Sequence, residues 1–253
     1  LVKKKTLKAL ELQKYGKTTG TDFSLERLEA CRKENFENLA QTDLCFIPFK
    51  ENTFDLITTI DTIEHIENDQ AALDELYRVL KPGGILRVVV PDLENLMEEY
   101  RRLLQLNLTD PTEQTQADYD WILIELFDQM VRNESGGQMA GYLRQPIVPN
   151  EKYVLGRIGY EGIKTRERFL QGKTSEKGLL RKAFSSFTLF KTAMGMVIEK
   201  MKIRTRNAKV GAFRLGGEVH VWMYDRFSLA RLLGSCGFSG IAVKDPWQSD
   251  VKN

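Results

Sequence analysis

The chain has 253 residues, a length that predicts one large domain or one domain that carries a substantial insertion. Its 42% hydrophobic and 28% charged residues exclude a disordered or collagen-like protein, and a net charge of only +2 makes nucleic acid an unexpected partner. The apolar stretches are too short for a transmembrane helix, and three widely spaced cysteines suggest neither a disulfide framework nor a zinc site, so we expect a cytoplasmic protein.

Residues 1–92 show strands and helices in alternation. An amphipathic helix is predicted over Leu7–Tyr15, ended by Gly16, and a short strand is predicted over Lys17–Asp22. A second helix is expected to begin after Ser24, because serine is a favoured N-cap residue. The order at the start of the chain is therefore helix, strand, helix.

A β-branched run, Phe54–Ile60, predicts a buried strand. A third helix is expected to begin at Asn68 or Asp69 and to end at Lys81–Gly84, where one proline and two glycines stop it. The next predicted strand is Ile85–Val90, which is apolar on both faces. Strands that alternate with helices indicate an α/β protein with a doubly wound, mostly parallel sheet.

The middle of the chain, residues 93–215, is predicted to be a large helical insertion that acts as a lid or recognises a substrate. Strand signals nearly vanish there, and four helical patterns take over: Leu93–Leu106, Gln114–Arg132, Glu151–Leu170 and Glu176–Met201. Basic and apolar residues interleave over 181–206, which fits either a lid helix on an acidic neighbour or a weak contact with an anionic membrane surface. The lid helix is the favoured interpretation.

The last part, residues 216–253, returns to the α/β pattern. It predicts a strand over Val219–Met223, a helix over Arg226–Ser235 and a strand over Ile241–Lys244. These elements are expected to complete the sheet that residues 1–92 begin.

Three aspartates follow successive predicted strands: Asp22, Asp43 and Asp61. Ligands of open parallel sheets bind at the carboxyl ends of the strands. A carboxylate there can accept hydrogen bonds from ribose hydroxyls or from an exocyclic amine. Each aspartate taken alone is better explained as a cap of the next helix or turn. Three at successive strand ends favour a nucleoside ligand.

Several short motifs occur in a fixed order in this part of the chain. They are Gly20–Ser24, Asp43 with Ile47–Phe49, Thr53–Ile57, Glu64–Ile66 and Glu75–Gly84. In order and spacing they resemble the class I S-adenosylmethionine-dependent methyltransferases of the type-11 kind. The resemblance covers residues 7–92. It implies a Rossmann-like methyltransferase fold and S-adenosylmethionine as the cofactor.

The resemblance also implies roles for individual residues. Asp22 would bind the ribose hydroxyls of the cofactor, and Phe23 would pack near its adenine. Asp43 and the backbone of Leu44 would read the adenine amino group, and Asp61 would lie near the methionine end. This subgroup does not usually use a metal ion, so no metal is expected.

The glycine-rich loop of the family, an acidic residue followed by G-x-G-x-G, does not occur in this sequence, which begins at Leu1. In the family this loop lets the backbone approach the cofactor. We therefore expect an N-terminally incomplete methyltransferase, in which loss of the central strand exposes the edges of its neighbours. A non-catalytic, methyltransferase-like binding module is the alternative. A nucleotide-dependent dehydrogenase, with Asp22 on the ribose, is a weaker one.

The acceptor is expected to be a small molecule or a glycan-type hydroxyl, methylated at oxygen and selected by the helical insertion. A hydroxyl acceptor needs a base, and the chain has two histidines, His65 and His220. His65 follows the strand that precedes Asp61. In a strand, His220 would share one face with Glu218 and Trp222. For both histidines a purely structural role is an equal alternative.

Overall fold

The computed structural model describes residues 16–22, 24–33, 35–36, 38–172, 205–245 and 248. These residues form two compact units. The first unit comprises the described residues up to Glu94 and those from Val221 onward, and the second comprises those from Asn95 to His220. The division into domains that the sequence suggested, with boundaries after residues 92 and 215, stays a prediction.

Four strands belong to the first unit: β1 (Gly20–Asp22), β2 (Leu39–Gln41), β3 (Phe54–Ile60) and β4 (Leu80–Val89). β1 pairs with β2 in parallel, and β3 pairs with β4 in parallel. The fold is thus the predicted Rossmann-like α/β class. The described strands form two separate parallel pairs, where the sequence predicted one continuous sheet.

A bulge lies near the start of β4. Phe54 pairs with Leu80 and Leu56 pairs with Ile85, so residues 81–84 leave the ladder between these two pairs. Gly83 has a φ of +77°, a conformation that residues with a side chain rarely adopt. The bulge allows a strand to follow directly on the helix that ends at Val79.

The described residues contain eight α-helices: α1 (Leu25–Lys33), α2 (Asp69–Val79), α3 (Leu93–Thr109), α4 (Glu113–Val131), α5 (Gly137–Leu143), α6 (Glu151–Leu170), α7 (205–214) and α8 (Arg226–Ser235). α6 and α8 have the predicted bounds, and α6 contains a kink at Gly159. α5 was not predicted. The predicted helices over Leu7–Tyr15 and Glu176–Met201, and the basic segment 181–204, lie outside the described residues. None of the described helices is both long enough and apolar enough to cross a membrane.

The core of the first unit lies between α2, α8 and the β3–β4 pair. Leu73 and Leu76 of α2 are buried there together with Leu233 of α8. α2 begins as predicted, because the Asn68 side chain caps it by accepting a hydrogen bond from the Ala71 backbone N–H. The apolar face of α2 thereby holds β3 and β4, and with them the loop that follows β3.

The core of the second unit is centred on Trp121 of α4, which is fully buried. Leu143, Val148 and Val154 pack against it. The Asn150 side chain, also buried, donates to the Ala117 carbonyl oxygen at 2.8 Å and so ties the start of α6 to α4. The helical character predicted for this part of the chain is confirmed in the described residues.

The prediction of two strands near the C-terminus is wrong, because residues 219–223 and 241–244 are irregular. The backbone N–H groups of Val221 and Trp222 both donate to the Glu64 carbonyl oxygen, at 2.7 and 3.3 Å, and not to a neighbouring strand. The side chain of Val243 is 72% exposed, so that segment has little apolar burial to hold it against an edge. A strand requires a paired edge, which an apolar pattern alone does not supply.

Candidate active site

The carboxyl ends of β1 and β2 bring two of the predicted residues together. Asp22 ends β1, and the Thr42 backbone N–H donates to its carbonyl oxygen at 3.1 Å. This bond continues the β1–β2 pairing by one residue and places Asp43 next to the end of β1. The Asp22 carboxylate also accepts from the Ser24 N–H at 2.8 Å, the capping role that is the structural alternative for a lone aspartate.

Asp43 forms a tight turn with the three residues after it. One carboxylate oxygen, Oδ1, accepts from the Cys45 N–H at 2.9 Å, and the Phe46 N–H donates to the Asp43 carbonyl oxygen at 3.0 Å. Within the part of the chain that the structure describes, no acceptor contacts the Leu44 backbone N–H. The Asp43 carboxylate also faces the Cys45 thiol, whose pKa is raised by burial first and by this carboxylate second, and a carboxylate has capacity for further donors. The turn therefore presents a carboxylate acceptor and an N–H donor on adjacent residues.

An ion pair on α2 holds the residues that directly follow this turn. Glu75 Oε2 accepts from the Ile47 N–H at 2.8 Å, and Arg78 donates to the carbonyl oxygens of Ile47 and Phe49 at 2.9 and 2.8 Å. Arg78 also binds Glu75 at 2.7 Å, and this hydrogen bond lowers the pKa of the Glu75 carboxyl group. The side chain of Leu44 packs against the core cluster of the first unit. The turn is thus anchored at both of its sides.

Sequence reasoning did not assign a role to Glu75 and Arg78. Both lie in the motif Glu75–Gly84, and their spacing of three residues on one helix face was the available signal. Which carbonyl groups Arg78 would bind depends on the loop after β2. That contact is separated in sequence by about thirty residues.

Asp61 follows β3 directly, as predicted. Its φ is +46°, in the left-handed region that aspartate tolerates better than most residues, and its N–H donates to the Val89 carbonyl oxygen at 2.9 Å. Strained backbone of this kind is often found at functional sites. Phe23, the remaining one of the five predicted cofactor contacts, lies outside the described residues.

The two histidines lie in different units. His65 ends a short 3-10 turn four residues after Asp61, and its Nε2 lies 3.8 Å from Oε1 of the fully buried Glu64. His220 is 4% exposed and its backbone N–H donates to the Gln129 carbonyl oxygen at 2.9 Å. The structure thus groups His65 with the loop after β3.

The strand face predicted for His220 does not form, because residues 219–223 are not a strand. Glu218 instead accepts from the Gly136 N–H at 3.0 Å and lies 3.5 Å from Arg132. Trp222 is 57% exposed, whereas His220 is buried. The three side chains do not make one wall of a site.

Comparison with known proteins gives a family match for the first part of the chain. Residues 4–88 match the family described as "Methyltransferase domain". The chain is 31% identical over 170 residues to the ubiquinone/menaquinone biosynthesis C-methyltransferase UbiE of Ruegeria sp., a match that covers 60% of each protein. It is 36% identical over 85 residues to the demethylmenaquinone methyltransferase of Lactiplantibacillus plantarum, covering 31% of this chain and 36% of the relative.

The chain spans 60% or less of the length of these curated relatives. Among solved structures, it is similar to the YcgJ protein of Bacillus subtilis, with 20% identity. That match covers 64% of this chain and 76% of the other, at a TM-score of 0.33, a likeness too weak to add to the family match.

Proposed function

Residues 4–88 belong to the class I S-adenosylmethionine-dependent methyltransferase family, and on this premise we propose that the protein transfers a methyl group from S-adenosylmethionine to a small-molecule acceptor. The observation that carries the proposal is the carboxylate acceptor of Asp43 beside the backbone N–H donor of Leu44. Adenine offers the complementary pair on one edge, an amino group that donates and a ring nitrogen that accepts.

The geometry of the two strand ends supports the rest of the cofactor assignment. A carboxylate accepts up to about four hydrogen bonds, so Asp22 can cap the turn at Ser24 and also accept from the ribose hydroxyls. Asp61, at the end of β3, is proposed for the methionine part. Because Glu75 and Arg78 hold the Asp43 turn before the cofactor binds, little ordering is required on binding.

The bound cofactor supplies a methyl group on a positively charged sulfur, which a nucleophile can displace directly. The protein then has to hold the acceptor in line and keep water out. If the acceptor is a hydroxyl group, it must lose a proton. We assign that role to His65, because it shares the loop after β3 with Asp61. No step requires a metal ion, and its absence from the mechanism stays a prediction.

We propose that the methyl acceptor is a small molecule. The sequence favoured a hydroxyl or glycan-type acceptor methylated at oxygen, and the comparisons give no support to that choice. The names of the two relatives concern quinone methylation, in one case at carbon. We therefore propose a ring carbon of a quinol-type acceptor ahead of a hydroxyl. His65 would take the proton of the phenolic hydroxyl so that the ring carbon can attack the methyl group, and the sulfur would leave as S-adenosylhomocysteine. The proton of the ring C–H bond would then pass to water, which restores the aromatic ring.

The cofactor assignment is tested by calorimetric titration with S-adenosylmethionine and S-adenosylhomocysteine. In Asp43→Asn the amide oxygen can still accept from the Cys45 N–H, but an NH2 group replaces the acceptor that faces adenine. We expect the dissociation constant to rise about tenfold to hundredfold. Asp55→Asn is the matched control, because Asp55 is an exposed aspartate that pairs with Lys81.

A second ligand, in which the adenine amino group is replaced, tests the role of Asp43 directly. S-Inosylhomocysteine carries an oxygen where adenine carries its amino group, so Asp43→Asn should bind it better than the unaltered protein does. Equal binding of both ligands by both proteins would refute the role of Asp43. The titration is run with this chain and with the protein expressed from its full gene. Binding by neither would favour the non-catalytic binding module.

The acceptor is tested with radiolabelled S-adenosylmethionine. A short-tailed demethylquinol, a simple phenol and a neutral glycan are incubated in parallel, and products are analysed by mass spectrometry and fragmentation. Label on a ring carbon of the quinol supports the proposal, whereas label only on oxygen would refute it. His65→Gln should slow transfer to the ring carbon, because the phenolic hydroxyl keeps its proton, with cofactor affinity unchanged.

A further inference from the structure

A groove of about 530 Å³ lies in the second unit at the N-terminal ends of α4 and α6. Its lining comes from Gln114 in the first turn of α4 and from residues between Pro149 and Arg157 around the start of α6. Ligand pockets in proteins have volumes of about 300–1,000 Å³, so the groove has room for a small organic molecule.

The buried Asn150 lines the groove, and hydrogen bonds to two neighbours hold its side chain in place. Asn150 is 2% exposed; it donates to Ala117 and accepts from the Tyr142 hydroxyl at 2.8 Å. The Tyr142 ring lies 5.3 Å from the ring of Trp121, whose indole N–H donates to Glu125 at 2.8 Å. Because these groups are held by each other, the groove keeps its shape without a ligand.

Two cations line the groove, and none of its described lining residues is a carboxylate. Arg157 uses Nε and Nη2 to bind Glu125 at 2.6 and 3.1 Å, which balances its charge. Its Nη1 group has no acceptor among the described residues. The exposed Lys152 ammonium likewise has no carboxylate or carbonyl partner there, so it contributes an unbalanced positive charge.

The remaining wall is apolar. Tyr153 donates its hydroxyl to Glu99 at 2.9 Å, so its polar end is already used and its ring remains as a surface. Pro149 adds a second apolar surface. Gly156 supplies no side chain, and a Cβ atom there would meet no described atom within 4 Å. The open space of the groove therefore lies over Gly156.

We propose that this groove binds a small organic anion with a flat apolar body. The carboxylate or phosphate group of the ligand lies between the Lys152 ammonium and Arg157 Nη1, and its ring packs on Tyr153 and Pro149. The inference concerns the second unit alone. It does not depend on methyl transfer or on S-adenosylmethionine.

The probe is 2-naphthoate, titrated by calorimetry into the unaltered protein. Two compounds separate the contributions: 2-naphthylmethanol has the ring without the charge, and acetate has the charge without the ring. We expect saturable binding of 2-naphthoate that weakens as salt is added, and at least fivefold weaker binding of both other compounds.

Two variants locate the site. Lys152→Gln should weaken 2-naphthoate binding about fivefold, and Gly156→Leu should abolish it by filling the groove. Leucine favours a helix more than glycine does, so loss of binding would not reflect unfolding; circular dichroism checks this. Lys164→Gln and Gly141→Leu are matched controls outside the groove. Unchanged binding in Gly156→Leu, or equal binding of acid and alcohol, would overturn the proposal.

Discussion

We expect Arg166 of α6 to stabilise the second unit, because it binds the carbonyl groups at the C-terminal end of α5 and just after it. It is 5% exposed, and its guanidinium donates to the carbonyl oxygens of Leu143 at 3.1 Å, Pro146 at 3.3 Å, and Gln145. It also binds Glu151 at 2.8 Å. In Arg166→Met all four partners lose their donor, while the apolar part of the side chain is kept.

The magnitude follows from these contacts. A hydrogen bond that involves a charged group is worth about 1.5–3 kcal/mol, and buried groups left unsatisfied lose about 1–3 kcal/mol each. Two of the three carbonyl groups belong to exposed residues, which water can solvate once the arginine is gone. We therefore expect Arg166→Met to lower the free energy of unfolding by about 3–5 kcal/mol, a large share of the stability of a typical domain.

Urea denaturation followed by far-UV circular dichroism measures this loss. Arg168→Met is the matched control, because Arg168 lies on the same helix, is exposed, and has no hydrogen-bond or ion-pair partner among the described residues. Arg166→Lys keeps the charge but lacks the fork of donors, so its stability should fall between the two. A loss below about 1 kcal/mol in Arg166→Met, or one matched by Arg168→Met, would show that the carbonyl contacts do not stabilise α5.

Two further changes test the anchors of each unit. Gly137→Ala should destabilise the protein by about 2–3 kcal/mol, because the residue has a φ of +50° and an added Cβ would collide with the Asp128 carboxylate. Glu75 has a pKa below its ordinary value of 4.5, owing first to its hydrogen bond from the Arg78 guanidinium. The ionised Glu75 carboxylate therefore contributes fully to the free energy of unfolding above about pH 4.5, and this contribution is lost as the pH falls through the folded-state pKa. We expect Glu75→Gln to reduce the dependence of stability on pH in the acid range.

Each of these has a simple control. Gly141→Ala, on the same helix with no atom near the added methyl group, should be neutral or slightly stabilising, and a loss equal to that of Gly137→Ala would contradict the steric argument. For the acid range, Asp55→Asn removes an exposed carboxylate instead. An unchanged slope in Glu75→Gln would mean that the ion pair on α2 does not link stability to protonation.

The sequence by itself determined the elements whose signals are local. β3 and α8 have the predicted bounds, and α2 begins at the predicted cap, because strand-forming runs and capping side chains act within a few residues. The order of motifs from Gly20 to Gly84 likewise indicated the methyltransferase family that residues 4–88 match. Asp22, Asp43 and Asp61 lie at strand ends because a parallel α/β topology places the residues after each strand there.

Only the tertiary structure decided the features that need a distant partner. Residues 219–223 and 241–244 have strand-like patterns but remain irregular, since a strand requires an edge with which to pair. α5 contains glycines and was not predicted; it forms because the Asp128 carboxylate of α4 accepts from its first N–H groups and Arg166 of α6 binds its last carbonyl. These contacts join residues that are far apart in sequence, and no local pattern encodes them.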